Sequence, residues 1–195
     1  LSRKKFWGRQ ALNVLVHIPL ILPPVVTGYF LLILFSRTGL IGRFLDTYFG
    51  ITVAFHWFGA VLAAAIMSFP LMVRAFRLGF ESVDPKLEVV AYSLGANRFM
   101  IFLTITLPLV IPALITGAVL GFAKSMGEFG ATITFVSNIP GQTQTVPSAI
   151  FEFLQLPGNN FMTIRLVCLS LLISIVALYI SEVLASRLSS REHSE

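Results

Sequence analysis

The sequence predicts an all-α fold, a polytopic bundle of transmembrane helices. Of its 195 residues, 56% are apolar and only 12% are charged, whereas about a quarter of the residues of a soluble domain are charged. The apolar residues form four blocks, each long enough to cross a hydrocarbon core of about 30 Å as a helix. Because backbone amides in lipid must be satisfied internally, each block is best explained as a helix. We therefore predict one transmembrane domain over residues 1–195.

The four predicted spans cover residues 12–35, 53–76, 99–123 and 164–185. Prolines interrupt two of these blocks. Pro19, Pro23 and Pro24 lie in the first span, and Pro108 and Pro112 lie in the third. Since proline removes a helical hydrogen bond and clashes with the preceding turn, we expect kinks in both spans.

The fourteen lysines and arginines lie at the ends of the spans and predict the orientation of the chain. On one side are ten: Arg3, Lys4, Lys5, Arg9, Arg74, Arg77, Lys86, Arg98, Arg187 and Arg191. On the other side are four: Arg37, Arg43, Lys124 and Arg165. The richer side is expected to be cytoplasmic, which puts both ends of the chain inside and residues 36–52 and 124–163 outside. Basic residues spread in this way form no single patch for nucleic acid, so no nucleic-acid partner is predicted.

The loop between the second and third spans, residues 84–98, has the signals of a short helix. Asp84 suits the N-cap, Pro85 suits the first helical position and Gly95 suits a left-handed stop. Four apolar residues follow at helical spacing: Leu87, Val90, Ala91 and Leu94. The helix would have one apolar face, which would either bind a groove in a partner protein or rest on lipid headgroups.

The same loop resembles the signature of ABC importer permeases, which is Glu-Ala-Ala, three residues, Gly, nine residues, Ile, one residue, Leu-Pro. Val89-Val90-Ala91 stands at its start and Glu88 lies one position before the Glu of the family. The end of the signature falls in register at Gly95, Ile105, Leu107 and Pro108. The resemblance implies that cytoplasmic ATPase subunits bind this loop, with Leu87, Glu88, Val89, Val90, Ala91, Leu94, Gly95, Ile105, Leu107 and Pro108 as the coupling residues.

A second resemblance covers residues 125–149, around the core Gly127-Glu128-Phe129-Gly130. This stretch is similar to the molybdate branch of these permeases and, more distantly, to sulfate permeases. Residues 22–26 and 67–71 extend the likeness over most of the chain. Those permeases carry one more helix before the point where this chain opens, at Leu1 rather than Met, so we expect one missing N-terminal span.

The resemblance implies an importer of molybdate or tungstate in the bacterial plasma (inner) membrane, with sulfate or another oxyanion as the alternative substrate. Two copies of the chain, surrounded by membrane lipid, would form the pathway. Two ATPase subunits would hydrolyse ATP, and a periplasmic or extracellular binding protein would deliver the ion.

Residues 124–163 are predicted to be an external gate-region loop, within which residues 148–156 are a candidate short helix. Its candidate pathway or gate residues are Gly127, Glu128, Gly130, Thr132, Thr134, Ser137 and Asn138. The hydroxyl and amide groups would either donate hydrogen bonds to an oxyanion or serve as ordinary loop and cap groups. Glu128 would be either a hydrogen-bonding group of the gate or an exposed loop carboxylate. A structural role is favoured because a carboxylate repels an anion.

The residues do not indicate an enzyme, a cofactor or a metal site in this chain. Lys124-Ser125 lacks the preceding glycines of a phosphate-binding loop, so ATP is expected to bind the partner subunit. Cys168 is the single cysteine, and no Cys/His cluster has metal-ligand spacing. Two other classes remain as alternatives. An intramembrane enzyme would need ionisable groups inside the spans, and a passive anion channel would conduct without ATPase subunits.

Overall fold

The computed structural model describes residues 7–156, 158 and 160–192, with side chains described as far as Ile180 and at Val183. The two ends of the chain lie outside the described residues, as do Arg3, Lys4 and Lys5 and the side chains of Arg187 and Arg191. All regular secondary structure in the described part is helical, which confirms the predicted all-α class.

The helices follow one another with short connections. They are α1 (Arg9–Ile21), α2 (Pro24–Phe35), α3 (Leu40–Phe49), α4 (Trp57–Ser82), α5 (Pro85–Ser93), α6 (Arg98–Ile101), a π-helical turn (Phe102–Thr106), α7 (Leu107–Met126), α8 (Gly130–Val136), α9 (Val146–Gln155) and α10 (Asn160–Glu192).

Three helical segments of the described chain are long and apolar enough to cross a membrane. They are α4, the continuous segment Arg98–Met126 and the first part of α10, Asn160–Ile180. These segments correspond to the second, third and fourth predicted spans. The structure therefore confirms three of the four spans as single helical segments, each of at least 21 residues.

The prediction of one kinked helix over residues 12–35 is wrong. The structure has two helices there, α1 and α2, which meet at 113° and form either a broken span or a re-entrant loop. Leu22 has an extended backbone with ψ 144°, because the residue before a proline is driven out of the helical region. Pro24 then begins α2 at a position where its missing N–H costs nothing.

The core lies where α2, α4 and α8 meet. Phe135 and Val136 of α8 are fully buried against Leu31 of α2 and Ala63 and Met67 of α4. On the other side α4 packs along α7, and α7 in turn contacts α10. The outer surface of α10 is apolar and exposed, as expected of a helix that faces lipid.

Two of the short helices were predicted and two were not. The structure has α5 within the predicted loop and α9 over Val146–Gln155, close to the predicted residues 148–156. Neither α3, which lies within residues 36–52, nor α8 was predicted. Seven-residue α8 is too short for its apolar period to be recognised in the sequence.

Candidate functional site

The first candidate site is the α5 region, residues 84–108. A carboxylate oxygen of Asp84 accepts the N–H of Lys86 at 2.9 Å, and Pro85 is the first helical residue. Gly95 has a φ of +89°, the left-handed conformation that glycine adopts without a steric penalty. The chain closes there through the N–H of Ala96, which donates to the carbonyl of Ala91 at 3.1 Å. The local signals at both ends of α5 thus act as the sequence predicts.

The two faces of α5 have different surroundings. Leu87, Val90 and Leu94 lie on the predicted apolar face and are exposed, Leu94 to 83%. The opposite face turns towards the third span and lines a groove of about 720 Å³. That groove is lined by Phe80, Pro85, Glu88, Val89, Tyr92, Arg98, Ile101, Phe102 and Thr106. The predicted apolar face is therefore open to a partner, and the other face borders an open groove in which Val89 is 64% exposed.

The end of the importer signature coincides with the π-helical turn. Ile105 lies in this turn, and Leu107 and Pro108 begin α7 directly after it. Pro108 has no N–H and its ring clashes with the carbonyl of the residue four positions earlier in a regular α-helix. The wider π turn accommodates the proline, with the N–H of Leu107 donating to the carbonyl of Phe102. Proline thus produces a local deformation, as predicted, and the span continues through it.

A side-chain hydrogen bond connects the two parts of this region. The hydroxyl of Thr106 donates to a carboxylate oxygen of Glu88 at 2.7 Å. Thr106 was not predicted as a site residue, because it occupies the one position between Ile105 and Leu107 that the signature leaves open. Only the folded chain brings it against α5.

The second candidate site is the α8 region, residues 124–156, and Glu128 organises its beginning. Its side chain is 2% exposed. One carboxylate oxygen accepts the N–H of Ala131 at 2.9 Å, and the other lies 3.3 Å from the ammonium nitrogen of Lys124. Of the two interpretations of Glu128, an exposed loop carboxylate is wrong. The carboxylate satisfies the first turn of α8 and connects it to the end of α7.

Glycines bring α8 into direct contact with α2. A Cβ added at Gly28 would lie 2.5 Å from the carbonyl oxygen of Ala131, and one added at Gly130 would lie 2.8 Å from Cβ of Pro24. These distances are too short for a side chain at either position. Gly130 was predicted as a gate residue, whereas Gly28 was not, since its close neighbour is about a hundred positions away in the sequence. Gly127 differs, because it is exposed at the end of α7 and only Ala123 approaches its missing Cβ, at 3.8 Å.

The polar residues predicted around this gate have separate environments. Thr132 is buried, and the hydroxyl of Thr134 donates to the carbonyl of Gly130 on its own helix at 2.8 Å. Ser137 is exposed and ends α8 with a φ of +63°. The side-chain amide of Asn138 donates to Glu152 of α9 at 2.7 Å. Thr134 and Asn138 therefore donate to protein acceptors in this structure.

Glu152 is a residue that the sequence analysis missed. One of its oxygens accepts both the amide of Asn138 and the amide of Gln144, the latter at 2.8 Å. Thr143, which is 2% exposed, holds the same loop by donating to the carbonyl of Val136 at 3.1 Å and accepting the N–H of Ile139. No short motif marks Glu152, because its partners Asn138 and Gln144 lie in the loop before α9 and meet it only in the folded chain.

Comparison with known proteins decides the family. Residues 2–190 match the family described as binding-protein-dependent transport system inner membrane component. The chain belongs to this family. The chain is 57% identical over 185 residues to the molybdenum transport system permease protein ModB of Escherichia coli strain K12, covering 95% of this chain and 81% of that one. It is 50% identical over 191 residues to the ModB of Haemophilus influenzae, covering 98% and 83%.

The fold of this binding-protein-dependent permease is also found in a solved transporter. The structure of the MetNI methionine ABC transporter, in inward-facing conformations, matches with a TM-score of 0.69 at 10% identity. The match covers 92% of this chain and 74% of that one. Membership of the family implies a multi-pass membrane protein that works with an ATPase and a substrate-binding partner. The exposed apolar face of α5 is a surface suited to such a partner.

Proposed function

We propose that this chain is the membrane-spanning permease subunit of an ABC importer that carries molybdate into the bacterial cytoplasm. The observation that carries the proposal is its 57% identity, over 95% of its length, to a permease named for molybdenum transport. The 185 aligned residues include both candidate sites. Tungstate, which resembles molybdate in charge and shape, is expected to follow the same path.

The α5 region supports coupling to a cytoplasmic ATPase. Leu87, Val90 and Leu94 form an exposed apolar surface on a short capped helix between two spans. Such a surface is stabilised when a protein groove covers it. ATP would bind and be hydrolysed in that partner, and the permease would convert the movement of α5 into a change in its spans.

The α8 region supports a structural role at an external gate. Glu128 is buried and makes one hydrogen bond to α8 and an ion pair to α7, so it presents no free charge to a passing anion. Residues 124–163 would then position the helices that open and close the outer end of the pathway. Weak, replaceable contacts to the oxyanion are sufficient there, because an ion that is bound too tightly would not leave.

The pathway itself would lie between two copies of this chain in the inner membrane. The basic residues counted along the sequence favour an orientation with both ends and α5 in the cytoplasm. An external binding protein would deliver molybdate on the opposite side, next to α8 and α9.

The test is transport by the complete importer in liposomes. The full-length permease, its ATPase subunit and its binding protein are reconstituted, and ATP hydrolysis and uptake of labelled molybdate, tungstate and sulfate are measured in parallel. We expect molybdate and tungstate to be taken up and to stimulate ATP hydrolysis, with sulfate well below both.

Three other outcomes of these measurements would favour the alternative functions. Uptake of sulfate in preference to molybdate would keep the importer and change its substrate. Anion flux through the permease without its ATPase would favour a passive channel. Turnover of a substrate by the permease alone would favour an enzyme.

A further inference from the structure

We infer that the hydrogen bond between Glu88 and Thr106 is the link by which α5 moves the third span, and that both side chains are positioning residues for transport. This inference rests on the proposed function, since it requires α5 to be displaced by an ATPase. It goes further by naming the contact that passes the displacement to the membrane.

The contact has the geometry of a strong hydrogen bond. The hydroxyl of Thr106 and the carboxylate oxygen of Glu88 are 2.7 Å apart, and a charged acceptor makes such bonds shorter and stronger than neutral ones. Thr106 is 4% exposed, so little water competes for its hydroxyl. The bond joins residues 18 positions apart and therefore ties two elements together directly.

Neighbouring threonines show that this bond is not the ordinary one for a helical hydroxyl. Thr104 donates to the carbonyl of Met100 at 2.7 Å, and Thr116 donates to the carbonyl of Pro112 at 3.0 Å, each within its own segment. A helical threonine commonly satisfies its hydroxyl in this way. Thr106 instead reaches across the groove to α5.

The backbone between α5 and the third span is a poor transmitter of movement. It turns at Gly95 in the left-handed conformation, and the Cβ position of that glycine is open to solvent. A displacement of α5 could be absorbed by this exposed turn. The hydrogen bond bypasses this turn, because it joins α5 directly to the π turn. The main contacts of α5 are with α6 and the π turn.

The far end of the link is the deformable part of the span. Thr106 is the last residue of the π-helical turn, and Pro108 follows with no N–H to donate. A π turn and a proline together make a site at which a helix can change direction. A pull on Thr106 therefore acts where α7 is most easily tilted relative to α6.

The test compares uptake with ATP hydrolysis in the reconstituted importer. Thr106→Val removes the hydroxyl and keeps the shape, and we expect the molybdate taken up per ATP hydrolysed to fall at least about ten-fold, the size expected for loss of a hydrogen bond to a charged group. Thr106→Ser retains the donor and is expected to retain the ratio. Thr104→Val is the matched control from the same turn, and it is also expected to leave the ratio unchanged.

Glu88→Ala tests the other end of the bond and carries the inference if Thr106→Val does not insert into the membrane. We expect a loss of ratio at least as large, because Glu88 makes a further contact as well. The double variant should be no worse than Glu88→Ala alone, because both changes remove the bond between the two side chains. A normal ratio in Thr106→Val or in Glu88→Ala, or losses that add in the double variant, would overturn the link. Failure of the unsubstituted importer to transport would instead overturn the proposed function.

Discussion

The α5 region and the α8 region are both short helices between spans, but they are stabilised in opposite ways. In α8, Ala131, Phe135 and Val136 are fully buried, and the preceding Glu128 is hydrogen-bonded inside the protein. In α5 no residue is buried, and Leu94 at its end is 83% exposed. The α8 helix is held by tertiary packing against α2 and α4, whereas α5 is held mainly by its own caps.

This difference indicates which helix is rigid and which is available to a partner. A helix of nine residues is marginal on its own, since most helical stability in proteins comes from packing of an apolar face. Leu87, Val90 and Leu94 on the apolar face of α5 are exposed in the described chain, so the stability of α5 should rise when another protein covers that face. Most of the apolar residues of α8 are already buried within this chain. Substitutions around α8 should therefore reduce the stability of the protein. Substitutions on the apolar face of α5 should instead weaken its association with the ATPase.

The largest expected effect is that of a methyl group at Gly28. Gly28→Ala places Cβ 2.5 Å from the carbonyl oxygen of Ala131, so the two helices must separate. We expect a loss of about 3 kcal/mol in the free energy of unfolding, the upper range for overpacking, seen as a lower Tm of the detergent-solubilised protein. The matched control is Gly127→Ala, because Gly127 has a φ of −91° and its Cβ would meet only the carbonyl oxygen of Ala123, at an ordinary 3.8 Å. Equal Tm values for the two variants would contradict the close α2–α8 contact.

The next effect concerns the buried carboxylate. Glu128→Ala leaves the N–H of Ala131 without its acceptor, and we expect a loss of about 2 kcal/mol of stability. Glu128→Gln keeps an oxygen for that N–H and loses only the ion pair to Lys124, whose side chain is 34% exposed and therefore screened. Thermal unfolding should place the Gln variant much closer to the unsubstituted protein. If the Gln variant loses as much as the Ala variant, the ion pair matters more than the cap.

A charge on the outer face of α5 should separate association from stability. Val90→Asp puts a carboxylate on the exposed apolar face, and we expect the ATPase to bind at least about ten-fold more weakly, or roughly 1.4 kcal/mol. Because Val90 is 59% exposed, Tm should not change. The matched control is Val89→Asp on the groove face, where Val89 is 64% exposed. Weaker binding by the Val89 variant alone would identify the groove as the docking surface.

The smallest effect is local to the start of α5. Asp84→Ala removes the acceptor for the N–H of Lys86, a change worth about 1 kcal/mol at an N-cap. Amide hydrogen exchange in α5 should become about five-fold faster, with little change elsewhere, because 1 kcal/mol corresponds to a factor of this size. Asp84→Asn retains an acceptor and should exchange almost normally. Unchanged exchange in the Ala variant would mean that packing, rather than the cap, holds α5.

The sequence by itself determined what depends on neighbouring residues. The apolar blocks predicted three spans correctly, and Asp84, Pro85 and Gly95 predicted the beginning and end of α5. Caps and apolar period act within one or two turns of the chain, so they can be recognised from the order of residues alone. The prolines predicted a disturbance of the first span, although they could not specify a bend of 113°.

Only the tertiary structure decided which distant residues meet. The burial of α8, the contact of Gly28 with Ala131 and the hydrogen bond of Thr106 to Glu88 all join separate elements. The buried environment of Glu128 also depends on how α7 and α8 are packed, and the sequence left it open. Contacts of this kind are set by the packing of whole helices, which no local pattern encodes, and they distinguish the rigid α8 region from the open α5 region.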